Sequence, residues 1–485
     1  MELKINKTDW IFLILCLLLG VIAEEAFFRG QIGISYLVFL MVFYSLFFWR
    51  FRSFSFTHQR VGYLILISIW LLAAGYYLND SKLFYVLNII VIPALVILHL
   101  TLITSPRTMM WNHTNFIFYA LHRIIKGFVY NGVFGKYIGS MLKRGKEENH
   151  FDVWKNILIG IIISVPFLFI VLNLLISADA QFERLMGNLP EMFSFKGEYI
   201  IRGVIVIMFT LAFFGYLSAF LKIQIVQKEV LIKPIGVNGV IALTVLVLLN
   251  LVYLLFIAVQ FKYFFSGTLD VGYTYAEYAR RGFFELLFVT LINLTVTTFV
   301  IQFTKSVQGL LKKIISLALS LLVLSSGVLL ISAFMRLTMY EEAYGFTFTR
   351  VLAHSFMIFL MVIFTYTLVK IWLDNLSLFH FYFVAALIYY TGINVVNLDQ
   401  IVVDRNIERY EETGKIDISY LNWMSATGIL GLIDLYEQNP EVPGLKEELM
   451  ERKAEREYLK SDVVQSHNLE RDRAYERLGK LNFED

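Results

Sequence analysis

Residues 376–396 read LSLFHFYFVAALIYYTGINVV, and residues 397–413 read NLDQIVVDRNIERYEET. The first stretch holds no Asp, Glu, Lys or Arg over 21 positions, whereas the next 17 hold seven. A helix crosses the hydrocarbon core with about 20 apolar residues. The first stretch therefore reads as a span, and the second as a helix that has left the lipid.

Working back from this switch, apolar runs of spanning length recur from Trp10 onwards, separated by short polar breaks. The candidate spans are 10–23, 33–49, 61–78, 83–104, 157–177, 199–221, 235–260, 283–304, 314–334, 351–372 and 376–396, about eleven in all. Only 17% of the 485 residues are charged, against about a quarter in soluble domains, so lipid is the main solvent. The 44 Phe and 27 Tyr suit lipid contact and interfacial belts. The expected fold is all-α: a polytopic transmembrane bundle with a small C-terminal soluble helical module. Three regions follow: 1–156 with four spans and a basic interfacial loop, 157–397 with about seven spans, and 398–485 as the charged module.

The amino terminus carries Lys4 and Lys7 before an apolar run, and then Glu24 and Glu25 where a small-residue cleavage site would lie. It reads as an uncleaved anchor. The first span is short and lengthens only by burying those glutamates. Cys16 is the single cysteine, which excludes a disulfide framework and a thiolate metal site.

Lys and Arg concentrate on one set of loops: Lys4 and Lys7, Arg50 to Arg60, 105–156, Lys222 to Lys233, Lys305 to Lys313, and Lys370. The positive-inside rule makes that set cytoplasmic. The expected location is the cell membrane, with the N-terminus cytoplasmic and the C-terminal module extracytoplasmic. The 105–156 stretch mixes aromatic and aliphatic residues with His122, Arg123 and Lys126, which suits a helix in the headgroup layer as well as a topogenic loop.

Beyond Asn397, Asp417 can cap a helix carrying Ile418, Leu421, Met424, Ile429, Leu432, Ile433 and Tyr436. Asn439-Pro440 ends it and Pro443-Gly444 opens a second helical region. The charge pattern favours an interaction surface or structural cap.

Three polar constellations stand out on the outer side. In 273–285, Tyr275, Tyr278, Arg281 and Glu285 share faces at helical spacing, with Asn293 two turns deeper. In 336–350, Arg336, Tyr340 and Tyr344 are each one turn apart beside Glu341, and Gly345 can end the helix. Both sets read as interfacial salt-bridge locks or as a ligand site. Asp179 and Glu183, one turn apart, form a weaker acidic pair. Mid-span polar residues are mostly neutral: Asn88, Asn173, Asn250, Asn293 and His354. No two histidines stand at i, i+4 with an acid, so no metal is expected, and nothing calls for a cofactor.

The runs Tyr275 to Glu285, Arg336 to Arg350 and Asn397 to Arg409, with Asp417 to Leu421, resemble a bacterial family of uncharacterised polytopic membrane proteins grouped as a domain of unknown function. The resemblance covers roughly 155–435. Where that family often has an Asp-Ala step after Leu-Ser, this chain has Ala426-Thr427-Gly428. The resemblance implies no activity.

The expected role is a non-enzymatic envelope sensor, regulator or assembly partner that uses the outer Arg/Tyr/Glu cluster. The alternatives are an enzyme acting on a lipid-linked or envelope substrate, and a transporter. The expected partners are the lipid bilayer and, through the module, an envelope protein. Nucleic acid is not among them.

Overall fold

The computed structural model describes residues 6–112, 114–143, 197–222, 237–266, 283–304, 307–460 and 463–483, with single positions at 160, 164, 168, 171, 175 and 182. Among them are sixteen α-helices. We number these α1 (Lys7–Phe28), α2 (Ile34–Arg50), α3 (Gln59–Leu78), α4 (Lys82–Thr104), α5 (Thr114–Lys143), α6 (Gly197–Lys222), α7 (Gly239–Ser266) and α8 (Phe283–Phe303). The rest are α9 (Gly309–Tyr344), α10 (Phe348–Trp372), α11 (Leu378–Val395), α12 (Leu398–Thr413), α13 (Ile418–Met424), α14 (Ala426–Gln438), α15 (Leu445–Ala454) and α16 (Leu469–Lys480).

Nine of the described helices are long and apolar enough to cross a membrane: α1, α3, α4 and α6 to α11. They coincide with nine of the eleven runs read from the sequence. The 33–49 run is the 17-residue helix α2, and 157–177 lies largely outside the described residues. Pro93 sits inside α4, which continues through it.

The described residues form two compact units, the first lying within 1–58, 100–109 and 114–226. Here α1 is longer than its apolar run, because it buries acids that find arginines. Asp9 accepts from the Asn6 backbone N–H at 2.8 Å, closing the helix start, and from Arg50 Nη2 at 2.7 Å. At the other end, Arg202 of α6 forks onto Glu24, with Nε to Oε1 at 2.7 Å and Nη2 to Oε2 at 3.0 Å. The same Nη2 reaches Glu25 Oε2 at 3.1 Å. A bidentate charge-assisted pair offsets the desolvation of a buried carboxylate. The basic 105–156 stretch supplies α5, which turns Phe116, Tyr119, Tyr130 and Phe134 inward and leaves Phe118, Leu121, Ile125 and Phe128 exposed.

The second unit comprises 59–99, 110–113 and 227–485. Four of its membrane helices, α7 to α10, share a core that includes Leu246, Leu286, Leu322, Leu330, Ala333, Leu360 and Phe364. With no water to compete inside, neutral side chains join the helices. Tyr253 donates to Asn293 Oδ1 at 2.8 Å, and Asn293 Nδ2 donates to Ser326 Oγ at 2.9 Å, so α7, α8 and α9 are pinned at one level. Asn88 meets Asn394 at 2.8 Å and Tyr390 at 2.7 Å, which does the same for α4 and α11.

Helices α12 to α16 build a separate apolar core around Val402, Val403, Leu421, Leu432, Ile433, Leu445, Leu449 and Leu478. Asp417 caps α13 as expected, accepting from the Tyr420 N–H at 2.9 Å. The single helix expected from Asp417 to Tyr436 is corrected to two helices, because Ser425 is fully extended between α13 and α14. Gly428 permits the fold-back: a Cβ there would strike the carbonyl of Leu421, and one at Gly431 would strike Val403. The helical period alone did not expose this break, because both halves carry the same apolar spacing.

Candidate functional site at the seat of the C-terminal helices

The short connection between α3 and α4 sets Asn79 and Asp80 against two different partners, the end of α11 and the C-terminal helices. Asn79 Nδ2 donates to the Asn394 carbonyl at 2.9 Å, tying the connection to α11. Asp80 Oδ2 accepts from the Ala426 N–H at 3.1 Å, at the start of α14, and Oδ1 lies 3.3 Å from Arg471 Nε. The Asp80 N–H donates to Glu470 Oε2 at 2.8 Å. Thr427 donates to the same oxygen at 2.8 Å, and Asn397 donates to Oε1. Asn468 clasps the carbonyls of Tyr76 and Asn79 at 3.0 and 2.9 Å, and Lys82 Nζ reaches the Trp423 carbonyl at 2.8 Å.

Three acids thus share one seat: Asp80, Asp399 and Glu470. Burial raises the carboxyl of each, because the charged form loses water. Arg471 opposes the rise at Asp80, and the Asp80 N–H, Thr427 and Asn397 oppose it at Glu470. Asp399 is pushed up to about 7 by burial, opposed by the Ser425 hydroxyl and by Lys82, and reinforced by Glu470 and Asp80. The Ala426-Thr427-Gly428 segment that departs from the family pattern supplies an amide, a hydroxyl and a close helix crossing to this seat.

A second polar group lies on the same end of this unit, where α9 meets α10. Gly345 ends α9 with φ of 83°, and its N–H returns to the Glu341 carbonyl at 2.7 Å. That backbone conformation suits glycine. Asn406 of α12 grips both backbone groups of Phe346, at 3.1 and 2.8 Å. Arg409 donates to the carbonyls of Glu342, Ala343 and Lys415 at 3.2, 3.1 and 3.1 Å, capping the negative end of α9. Tyr340 and Tyr344 rings lie 4.9 Å apart, and the Arg350 guanidinium sits 4.1 Å over Tyr340. Glu341 is buried, with Oε2 3.1 Å from His354 Nδ1. An open cleft of about 550 Å³ lies alongside, lined by Tyr344, Arg409, Lys415, Asp417 and Glu448 among others.

Of the residues singled out in the sequence, Arg336 and Glu341 are buried, Tyr340 is half-buried, and Tyr344 and Glu285 are exposed. Asn293 is buried in the α7–α9 hydrogen bonds, away from this face. Tyr275, Tyr278, Arg281, Asp179 and Glu183 lie outside the described residues. The sequence suggests His354 as a mid-span residue, but it lies in the second turn of α10 and meets Glu341 at the end of α9. Asp399, Glu470 and Arg409 were missed as site residues. Their signal was faint: acids and bases inside a module already rich in both. Among the described residues, no group of three or more His, Cys, Asp or Glu is arranged to hold a metal.

Spans, apolar core and charged helical cap define a multi-span membrane protein of all-α fold. The chain belongs to the family described as Domain of unknown function (DUF4153), whose model matches residues 66–435. The match begins within α3, earlier than the resemblance drawn from the sequence, and takes in Asp80 and Asp399 but not Glu470. No curated protein and no solved structure matches the chain.

Proposed function

We propose that this protein is a non-enzymatic membrane regulator, sensor or assembly partner, in which the C-terminal helices report the state of the bundle. The observation that carries this reading is the seat: carboxylates from loop 79–81 and α16 are engaged with amides, hydroxyls and one guanidinium, beside the buried Asp399 of α12. Such groups set the fit of one element on another. An enzyme would present them to a substrate cleft.

In this reading the N-terminus is cytoplasmic and the module extracytoplasmic, with an envelope protein as its partner. The loop 79–81, the α9–α10 connection and α12 to α16 belong to one end of the second unit. The Lys/Arg distribution favours the outside for that end. In the outer Arg/Tyr/Glu cluster, Tyr340, Tyr344 and Glu285 together with Tyr275, Tyr278 and Arg281 are the candidate ligand or contact residues, and the buried Arg336 and Glu341 back them.

The test is limited proteolysis of the full chain in detergent, comparing wild type with Asp80→Ala and Glu470→Ala. The module should become protease-sensitive while the spans keep their helicity. Unchanged protection in both variants would sink the reading. A reporter enzyme active only outside the cytoplasm, fused after Asp485, tests the orientation separately.

A further inference from the structure

The end of the second unit remote from the module holds a different kind of site. Helix α10 starts at Phe348, whose N–H donates to Tyr420 of the module at 2.8 Å, and runs 25 residues to Trp372. At 1.5 Å per residue that is about 37 Å, enough to cross the hydrocarbon core. At its far end a cavity of about 380 Å³ opens between α8, α9 and α10.

We propose that this cavity binds the phosphate headgroup of an anionic phospholipid. Two lysines from different helices converge on one residue. Lys312 Nζ lies 2.7 Å from Asp374 Oδ2, and Lys370 Nζ donates to the carbonyls of Leu373 and Asp374 at 3.2 and 2.6 Å. With Asp374 ionised the lysines leave a net positive charge, and Thr304 and Ser316 add hydroxyls to the lining. The remaining wall is aliphatic, formed by Ile301, Ile315, Leu319 and Ile371. A basic rim over an aliphatic wall matches a headgroup with its acyl chains, since polar recognition and apolar burial then occupy adjoining surfaces.

The depth is right for a headgroup. Trp372 is exposed beside the cavity, with its indole N–H on Ser320 Oγ at 3.0 Å, and Trp111 packs on Phe379 and Phe383 at the start of α11. Tryptophans at helix ends mark the membrane–water interface. Asp374 is 73% exposed, so its carboxylate can swing aside when a phosphate oxygen takes its place between the ammonium groups.

The experiment uses the full chain in phosphatidylcholine nanodiscs with and without phosphatidylglycerol, reading retained lipid by native mass spectrometry. Wild type should retain phosphatidylglycerol preferentially. Lys312→Gln with Lys370→Gln should weaken that retention about thirtyfold, as loss of two surface lysines implies. The corresponding double arginine variant should keep it, and Asp374→Asn should strengthen it. Retention unchanged in the glutamine variant, or weakened by Asp374→Asn, would overturn the proposal. Soluble glycerol phosphate displacing the lipid at equal phosphate concentration would also overturn it, identifying a free-phosphate site instead.

Discussion

The first unit and the seat of the C-terminal helices both bury carboxylates, yet they hold them by different means. In the first unit Asp9 meets Arg50, and Glu24 meets Arg202 in a two-point fork. At the seat Asp80 faces a guanidinium, that of Arg471, while Glu470 is held by Asn397, Thr427 and a backbone N–H, and Asp399 is raised to about 7. An arginine meets a carboxylate with opposite charge and directed N–H groups, so such a pair joins two helices by charge and geometry together. At the seat burial outweighs the donors and raises all three carboxyls, that of Asp399 to about 7. The fit of the C-terminal helices is therefore expected to respond to protonation at Asp399.

The largest loss is expected from Arg50→Ala. It removes the guanidinium that faces buried Asp9 and should cost about 3–5 kcal/mol, read as lost accumulation in the membrane or a lowered unfolding midpoint. Gly431→Ala comes next. The added methyl meets Val403, and overpacking of about 1–3 kcal/mol should loosen α12 to α16 before the spans. Hydrogen exchange resolved by segment would show it, and uniform loosening would contradict the separate core.

A pH series sharpens the comparison. The Asp399 carboxyl titrates near 7 when seated and near 3.9 when free. The seated form therefore binds more protons between those values, and its stability falls as pH rises from about 4 to about 7, then levels off. Each proton coupled to seating changes the equilibrium by at most about tenfold per pH unit. Asp399→Asn should flatten the pH dependence of proteolytic protection, and an unchanged slope would remove Asp399 from the account. The smallest effect is expected from Asn293→Ala, which breaks a neutral link among α7, α8 and α9. Interhelical hydrogen bonds of this kind contribute about 0.6 kcal/mol on average, measurable by denaturant titration in detergent micelles.

Several of these features were legible before folding. The switch at Asn397, the Asp417 cap, the Gly345 stop and the Pro443-Gly444 opening all act through neighbours in the chain. The seat did not show in the sequence, because Asp80, Asp399 and Glu470 stand far apart along the chain and each looks ordinary alone. Glu24 shows the same limit. It reads as the end of an apolar run, and only Arg202, 178 positions later, turns it into a buried helical residue.

By itself the sequence determined the class of protein, because hydrocarbon excludes unpaired backbone and charge and so dictates helices about 20 residues long. It also determined where the chain leaves the lipid. Only the tertiary structure decided which charges face a partner of opposite sign and which face neutral donors. That distinction depends on burial and on groups brought together across long separations, which no local stretch of sequence displays.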